Sequence, residues 1–165
     1  MILNAGDTVV HPVYGVGHIV RLARRQFTGP EVRQYFEIST EKTTVWVPVE
    51  TCEAIGLRRL TTKIDLAEYR GVLKSRPISL NKDHSKRRRE LAECLKQGSF
   101  QALCETVRDL TARGWRKPLG ESDARLLRKT HELLCQEWAA ADGASIAHAT
   151  QEVDTMLLEA KRAYA

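Results

Sequence analysis

Residues 6–20 read Gly-Asp-Thr-Val-Val-His-Pro-Val-Tyr-Gly-Val-Gly-His-Ile-Val. Two runs rich in β-branched residues, Thr8–Val10 and Val16–Val20, lie on either side of Pro12 and Gly15. β-Branched residues favour strands, whereas proline and glycine favour tight turns, so the stretch predicts two strands joined by a turn. The valines that we expect to face a core are Val10, Val16 and Val20. A hairpin of this kind is typical of a small, strongly bent barrel.

The rest of the first 60 residues also has the pattern of short strands. Val32–Ser39 alternates as a strand does, and Thr44–Val49 is rich in β-branched residues. Turns are predicted at 28–30 and 41–42, and residues 55–58 close the unit. About five short strands in so short a segment predict a Tudor-like or SH3-like barrel.

Beyond residue 60 the apolar residues recur with the spacing of helices. The predicted helices begin near Thr61 or Thr62, Asp83, Ser99, Glu121 and Ser145. The chain is therefore predicted to be an α+β protein, with a small β-barrel domain at residues 1–60 and a compact all-α domain at 61–165. A break in the helical part is expected near residues 76–82.

Length and composition exclude several classes of protein. The chain has 165 residues, and no run of about 18 apolar residues that could span a membrane. Its N-terminus has no basic region followed by an apolar core, so we expect no secretion signal and a cytoplasmic location. The net charge is +5, of which the first 60 residues carry +1 and the remainder +4.

Cysteine and histidine spacing predicts neither disulfides nor a metal site. The four cysteines, Cys52, Cys94, Cys104 and Cys135, contain no C-x-x-C pair. A disulfide framework is not expected in a chain with a normal core and no export signal. No histidine pairs closely in sequence with these cysteines, so we expect buried free thiols and no bound metal.

Sequence motifs of catalysis are absent. The chain has no P-loop, no Rossmann fingerprint, no H-E-x-x-H and no G-x-S-x-G. Gly15 and Gly17 fall within a hairpin rather than between a strand and a helix, which argues against a phosphate cradle. We predict that the protein is not an enzyme and needs no cofactor.

The basic run Lys86–Arg89 is the first candidate site. Such a run can be a solvated helix face, with Glu90 and Glu93 pairing with Lys86 and Arg89 at helical spacing. However, four adjacent cations repel one another, and they lie near the N-terminus of the predicted helix, which disfavours cations. We therefore favour a contact with an external phosphate.

Trp46 is the second candidate site. If Val45 and Val47 face the core, strand alternation places Trp46 on the outer face. An exposed tryptophan is often an interface anchor, although the helical domain could equally cover it. Arg24 and Arg25 precede the predicted turn at 28–30, and we expect them to be exposed at the rim of the barrel.

In its motifs the chain resembles the CarD family of bacterial transcription factors, of the CdnL type. The segments that carry the resemblance, in order, are Gly6–Gly15, Val47–Glu50, Gly56–Arg58 and Val107–Leu110. Each is weak alone, but their order and spacing are specific, and they extend over most of the chain. The first segment also resembles the polymerase-interacting module of the transcription-repair coupling factor, a helicase whose motor this chain lacks.

The resemblance implies an N-terminal Tudor-like domain that docks on the β1 lobe of the RNA polymerase β subunit. It also implies a helical domain that reaches promoter DNA at the upstream edge of the transcription bubble and stabilises the open complex. On this basis Arg25 and Trp46 match polymerase-facing positions, and we expect Arg24 to contribute.

The same resemblance assigns the DNA contacts. Arg89 matches a basic residue that contacts DNA, and Lys86, Arg87 and Arg88 lie in the same stretch. A second basic position of the family falls on Ala124, which leaves the neighbouring Arg125 as the candidate.

His84 is the largest departure from the family. A tryptophan at this position wedges into the minor groove in the family, and an imidazole buries far less surface than an indole. Histidine can still stack on a base, form hydrogen bonds or attract DNA when it is protonated. We expect a weaker or more salt-sensitive grip on the fork.

Two functions remain open from the sequence. The first is a monomeric transcription regulator that bridges the RNA polymerase β subunit and promoter DNA, with weak and largely non-sequence-specific DNA binding and no membrane partner. It would be associated with the nucleoid through the polymerase. The second is a polymerase-binding adaptor that does not touch DNA.

Overall fold

The computed structural model describes all 165 residues. The chain forms two compact units, the sheet unit Met1–Leu60 and the helical unit Thr61–Ala165. The α+β fold class predicted from the sequence is confirmed by the order of the elements.

The sheet unit is a five-stranded antiparallel sheet with one short helix. Its elements are β1 (Thr8–His11), β2 (Gly15–Arg25), β3 (Arg33–Thr40), β4 (Thr44–Pro48), α1 (Cys52–Ile55) and β5 (Arg58–Arg59). The strand order is β4-β3-β2-β1-β5, so β4 and β5 are free edges and the sheet is open rather than a closed barrel. β5 has only two residues, too few to close the sheet against β4.

The predicted hairpin is present, but its core face was predicted only in part: Val10 is buried as expected, whereas Val16 is half-buried and Val20 is exposed. β1 pairs with β2 from Thr8–His18 to His11–Gly15. The fully buried residues of the hairpin are Val9 and Ile19, whereas Val20 is 53% exposed. Val20 lies at a bulge in the pairing of β2 with β3. Ahead of this bulge the alternation is regular, with Gly17 and Ile19 buried and His18 and Val20 exposed, so the prediction chose the wrong face of the strand. Both faces carry β-branched residues, and period-two reasoning could not choose between them.

The turn of the hairpin is held by a buried histidine. His11 Nδ1 accepts hydrogen bonds from the backbone N–H groups of Val13 (3.1 Å) and Tyr14 (3.3 Å). An Nδ1 atom that accepts hydrogen bonds carries no proton, so the ring must be neutral. Burial lowers the pKa of His11 and favours the same neutral form.

Gly17 is required by a close approach of two strands. A Cβ at this position would lie 2.7 Å from Ile38 Cγ2 and 2.9 Å from the carbonyl oxygen of Ser39. Any larger residue would therefore push β2 away from β3. The core behind this contact contains Leu3, Val9, Ile19, Phe36, Ile38, Val47, Cys52 and Leu57.

The helical unit has five helices. They are α2 (Leu66–Lys74), α3 (His84–Lys96), α4 (Phe100–Arg113), α5 (Glu121–Asp142) and α6 (Ile146–Tyr164). The predicted starts of three helices near Asp83, Ser99 and Ser145 are confirmed, since each of these residues is an N-cap that accepts a hydrogen bond from a backbone N–H three residues later.

The start of α2 was predicted wrongly. The helix begins at Leu66, and Ile64, which precedes it, is 87% exposed. Thr61 does not cap the helix, because its hydroxyl donates to Glu137 Oε2 of α5 at 2.6 Å. Glu137 is fully buried, so this bond satisfies a carboxylate inside the unit.

The expected break after α2 is an extended segment fastened to α4. Arg108 and Asp109 are both buried and paired with each other at 2.8 Å. Asp109 accepts a hydrogen bond from the backbone N–H of Ile78, and Arg108 donates to the Ser75 hydroxyl. The segment that leads into α3 is therefore held by buried charged groups rather than being a free linker.

The core of the helical unit is built around Trp138, which is fully buried. Phe100 lies between Trp138 and Tyr69, with ring-centroid distances of 6.1 and 4.8 Å. All four cysteines are free thiols. None of the helices has the length and apolar character that crossing a membrane requires.

Candidate functional site

The register of β3 places Trp46 on the outer face of the sheet. Trp46 pairs with Glu37, and Glu37 pairs with Arg21 on its other side. Arg21 Nε donates to Glu37 Oε2 at 2.6 Å. Val47, the next residue of β4, faces the opposite way into the core. The alternation expected for this strand is therefore present, and Trp46 is half-buried on the outer side.

Three aromatic side chains and one arginine form a cluster on this face. Phe27 packs edge-on against Tyr35 and Trp46, at ring-centroid distances of 4.9 and 5.5 Å. The Arg25 guanidinium lies over the Trp46 ring at 5.3 Å, within cation–π distance. Phe27 remains 53% exposed. We call Arg25, Phe27, Tyr35 and Trp46 the aromatic face.

The two predicted arginines of this region do not act together. Arg25 pairs with Arg33 and Arg24 pairs with Gln34, so the two residues lie next to each other on β2 and point to opposite faces. The structure therefore brings Arg25 to Trp46 and places Arg24, which is exposed, on the other side. Phe27 was not predicted as a site residue, because a residue beyond a strand end has no alternation to indicate where it packs.

The start of α3 presents charged residues on a fixed support. Asp83 caps the helix by accepting from the backbone N–H of Lys86 at 2.9 Å, and its own N–H donates to Asn81 Oδ1. Lys86, Arg88 and Arg89 are exposed, as is His84. We call His84, Lys86, Arg88 and Arg89 the basic helix start.

Arg87 belongs to the interior and not to this surface. It is 5% exposed, and its Nε atom donates to Asp123 Oδ2 at 3.0 Å. Its NH1 group donates to the backbone carbonyl oxygens of Asn81 and Lys82. A second arginine, Arg113, lies 3.5 Å from the same carboxylate oxygen. Arg87 was predicted to be a DNA contact, but its side chain joins α3 to α5 instead.

The geometry of a helix explains this difference. Successive residues of an α-helix are about 100° apart, so four consecutive side chains cannot share one face. Arg87 and Leu91 are the two buried residues of α3, one turn apart. The four-residue spacing between Arg87 and Leu91 indicated that Arg87 lies on the buried face of the helix. The partner of Arg87, Asp123, lies 36 residues away and could not be identified from the sequence.

Arg125 lies two residues beyond Asp123, in the first turns of α5. Its side chain is exposed and donates to Glu121 Oε1 at 2.9 Å, one turn earlier. The Arg87–Asp123 pair ties the start of α3 to the same turns of α5. Arg125 therefore carries a charge that Glu121 already balances, unlike the cations of the basic helix start.

Ala124 lines a groove between α4, α5 and α6. The groove has a volume of about 550 Å³ and includes Trp115, Leu127 and Leu157. At one wall His131 Nε2 and Asp154 Oδ1 are 2.7 Å apart. The Cys135 thiol and Asp154 raise the pKa of His131 to about 9, although burial opposes the shift. His131 is therefore protonated at neutral pH and forms an ion pair between α5 and α6.

These features define a class of protein: a small sheet unit with an exposed aromatic face, followed by a helical unit with a basic surface. Residues 3–61 match the family described as "CarD-like/TRCF RID domain", and residues 69–154 match "CarD, C-terminal domain". The chain belongs to the CarD family of transcription factors. Members of this family are transcription regulators that interact with RNA polymerase rather than enzymes.

A curated relative leads to the same family. The chain is 26% identical over 140 residues to a Bacillus subtilis protein described as "Putative transcription factor YdeB". The match covers 84% of this chain and 91% of that protein. The similarity therefore extends across both units.

Proposed function

We propose that this protein docks on the β1 lobe of the RNA polymerase β subunit through its sheet unit and contacts promoter DNA through its helical unit. The DNA contact would lie at the upstream edge of the transcription bubble and would stabilise the open complex. The observation that carries the proposal is the basic helix start, which is exposed and held rigidly by the buried Arg87–Asp123 pair. This role also implies a cytoplasmic protein, associated with the nucleoid through the polymerase.

The charges of the basic helix start support a phosphate contact. Lys86, Arg88 and Arg89 extend from the first two turns of a 13-residue helix. Glu90, which could have balanced Lys86, instead accepts a hydrogen bond from Asn81 Nδ2 at 3.2 Å. Cations left available at a surface gain affinity for DNA by releasing its condensed counterions.

The aromatic face supports a protein contact. Trp46 and Arg25 belong to the residue types that contribute most to protein interfaces. Arg25 already stacks on Trp46, and Phe27 already packs against it, so these side chains lose less conformational entropy on binding. We therefore assign polymerase docking to Arg25 and Trp46, with Phe27 beside them and Arg24 at most at the periphery.

The proposal is tested by the triple variant Lys86→Ala/Arg88→Ala/Arg89→Ala in the full chain. We expect capture of RNA polymerase to be unchanged and the lifetime of promoter open complexes to fall. The matched control is Lys96→Ala/Lys161→Ala/Arg162→Ala, which removes three exposed charges from the C-terminal ends of α3 and α6. Equal open-complex lifetimes for the two variants would contradict a DNA contact at the basic helix start.

His84 is tested separately, because it stands at the position of the family's wedge. If His84 lies at the DNA fork, His84→Trp should lengthen the lifetime of the open complex, since an indole fills an unstacked base step better. His84→Ala should shorten it. If neither substitution changes the lifetime of the open complex, His84 does not contact DNA. The phosphate contacts of Lys86, Arg88 and Arg89 are tested independently by the triple variant.

A polymerase-binding adaptor that does not touch DNA is the second candidate function. It is favoured by the surroundings of His84, whose Nδ1 atom lies 3.4 Å from the NH2 group of Arg87 and is thus directed toward the protein. The adaptor predicts that the triple variant leaves promoter opening unchanged, whereas Trp46→Ala weakens capture of the polymerase.

Binding to free DNA distinguishes the proposal from a conventional repressor. Three exposed cations release few counterions, so the isolated protein should bind duplex DNA weakly and without clear sequence preference. Electrophoretic mobility shifts at physiological salt measure this. Tight, sequence-specific binding by the protein alone would overturn the bridging function.

A further inference from the structure

Three side chains with metal-binding atoms meet at the junction of α5 and α6. Asp142 is the last residue of α5, and His148 and Glu152 lie on α6. Their ligand atoms are all within 4.8 Å of one another. From this arrangement we propose that Asp142, His148 and Glu152 form a binding site for a divalent transition-metal ion such as Zn²⁺. The cluster lies in the helical unit and takes no part in the contacts proposed for the basic helix start.

The local structure explains why these residues meet. His148 and Glu152 are four residues apart on α6, so they lie on the same face of the helix. Gly143 adopts a left-handed conformation with φ of 70° and reverses the chain directly after Asp142. The tight turn between the helices therefore returns α6 past the end of α5 and brings the aspartate to this face.

The donor set selects the kind of ion. An imidazole nitrogen with two carboxylate oxygens suits Zn²⁺ and its neighbours in the first transition series, which accept mixed nitrogen and oxygen ligands. Ca²⁺ and Mg²⁺ prefer oxygen ligands alone. With three protein ligands, a fourth position remains for water or for a side chain of a partner.

One carboxylate of the site is already oriented. Arg70 Nε donates to Glu152 Oε1 at 2.7 Å, and the Arg70 guanidinium stacks on the Trp138 ring at 5.4 Å. This contact fixes the carboxylate and uses only one of its oxygens, which leaves Oε2 for a metal. Supporting hydrogen bonds of this kind orient the ligands of metal sites.

The other carboxylate has a weaker competitor. Lys63 Nζ lies 3.8 Å from Asp142 Oδ1, and the lysine side chain is 73% exposed. An exposed, flexible ammonium at this distance can move into solvent at little cost. A bound metal would therefore replace Lys63 at Asp142 while Arg70 stays on Glu152.

The test is a titration of the full-length, metal-free protein with Zn²⁺ by calorimetry, together with Co²⁺ absorption spectra. We expect one equivalent to bind, with affinity reduced at least about tenfold, or 1.4 kcal/mol, in His148→Gln and in Glu152→Gln. The matched control, His18→Gln, removes an exposed histidine of the sheet unit and should bind as the wild type does. Circular dichroism of each metal-free variant verifies that it is folded.

Two outcomes would contradict the proposed metal site. The first is no saturable binding, and the second is equal binding by the wild type and both cluster variants. The Co²⁺ spectrum shows whether the metal in the second outcome is bound by the free thiols, because a thiolate ligand adds a sulfur-to-cobalt charge-transfer band that a nitrogen–oxygen site lacks. A lower Zn²⁺ affinity in His148→Gln and Glu152→Gln, with no such band in the wild type, supports the proposal.

Discussion

The aromatic face and the basic helix start are assembled in opposite ways. Arg25, Phe27 and Trp46 come from β2, the loop after it and β4, and the register of the sheet brings them together. The residues of the basic helix start are adjacent in sequence, yet the run they belong to is divided, because Arg87 turns inward to Asp123. Adjacency in sequence therefore predicted one residue too many, Arg87, for the basic helix start. It did not predict that Phe27 joins the aromatic face.

The difference also concerns what each site tolerates. The aromatic face rests on exposed and half-buried side chains, so a substitution there should change binding more than stability. The basic helix start rests on a buried ion pair, so its support is vulnerable while its exposed cations are not. Four predictions, ordered from the largest expected effect to the smallest, test this contrast and the difference between the two units that carry the sites.

Removing the buried carboxylate should have the largest effect. Asp123→Ala leaves the Arg87 guanidinium buried without its partner, and we expect a loss of about 3–5 kcal/mol in the free energy of unfolding. Arg88→Ala, at an exposed neighbour, should change it by less than about 0.5 kcal/mol. Urea unfolding of the full chain, followed by circular dichroism, measures both. A cost for Asp123→Ala as small as that for Arg88→Ala would show that the ion pair does not hold the helix start.

The second prediction concerns the aromatic face. Trp46→Ala should weaken polymerase binding by about 2 kcal/mol, the scale of an interface hot spot. Arg24→Ala is the matched control, because Arg24 lies on the opposite face of the sheet and should have little effect. Binding to immobilised polymerase and the melting temperature of each variant are the measurements. Similar losses in the two variants would mean that docking does not use the outer face.

The third prediction is that the two units respond to pH in opposite directions. The pKa of His131 is raised to about 9, so its contribution to stability is complete below its ordinary pKa of 6.5 and is lost as the pH rises through about 9. We expect about 1 kcal/mol, since Asp154 is partly exposed to solvent. The pKa of His11 is lowered, so its contribution is present above 6.5 and is lost as the pH falls through the lowered pKa.

Two variants assign these pH effects to their residues. His131→Gln keeps a nitrogen donor for Asp154 and should remove the loss of stability at high pH. His11→Asn keeps an acceptor in the place of Nδ1 and should remove the loss at low pH. Unfolding curves between about pH 5 and 10 test both, and histidine proton shifts in NMR spectra report each pKa directly. If His131→Gln still loses stability at high pH as the wild type does, the ion pair is not the cause of that loss.

The smallest expected effect is on the salt dependence of open complexes. The logarithm of open-complex stability falls with the logarithm of salt concentration, and Arg88→Ala should reduce the slope of this plot by about one. That is the value for one lost phosphate contact. Arg125→Ala should reduce it less, because Glu121 already balances its charge. Filter binding over a salt series is sufficient. A larger change for Arg125 would place the DNA nearer α5 than the basic helix start.

Features that depend on local chemistry could be predicted from the sequence. The caps Asp83, Ser99 and Ser145 are recognisable because a short polar side chain satisfies a free backbone N–H within its own turn. The exposure of the basic helix start and the outward position of Trp46 follow from the same short-range periodicities. Val20 and the start of α2 were placed wrongly, because the buried face of a strand and the first turn of a helix depend on the neighbouring elements and not on the local pattern alone.

The amino-acid sequence by itself determined the elements, the division into strands followed by helices, and the family, since propensity, capping and motif spacing act over a few residues. Only the tertiary structure decided that Arg87 pairs with Asp123, that Phe27 joins Trp46, and that Asp142 meets His148 and Glu152. The physical reason is that a buried charge needs a partner, and a ligand or aromatic cluster needs close neighbours, whose positions depend on how separate strands and helices pack.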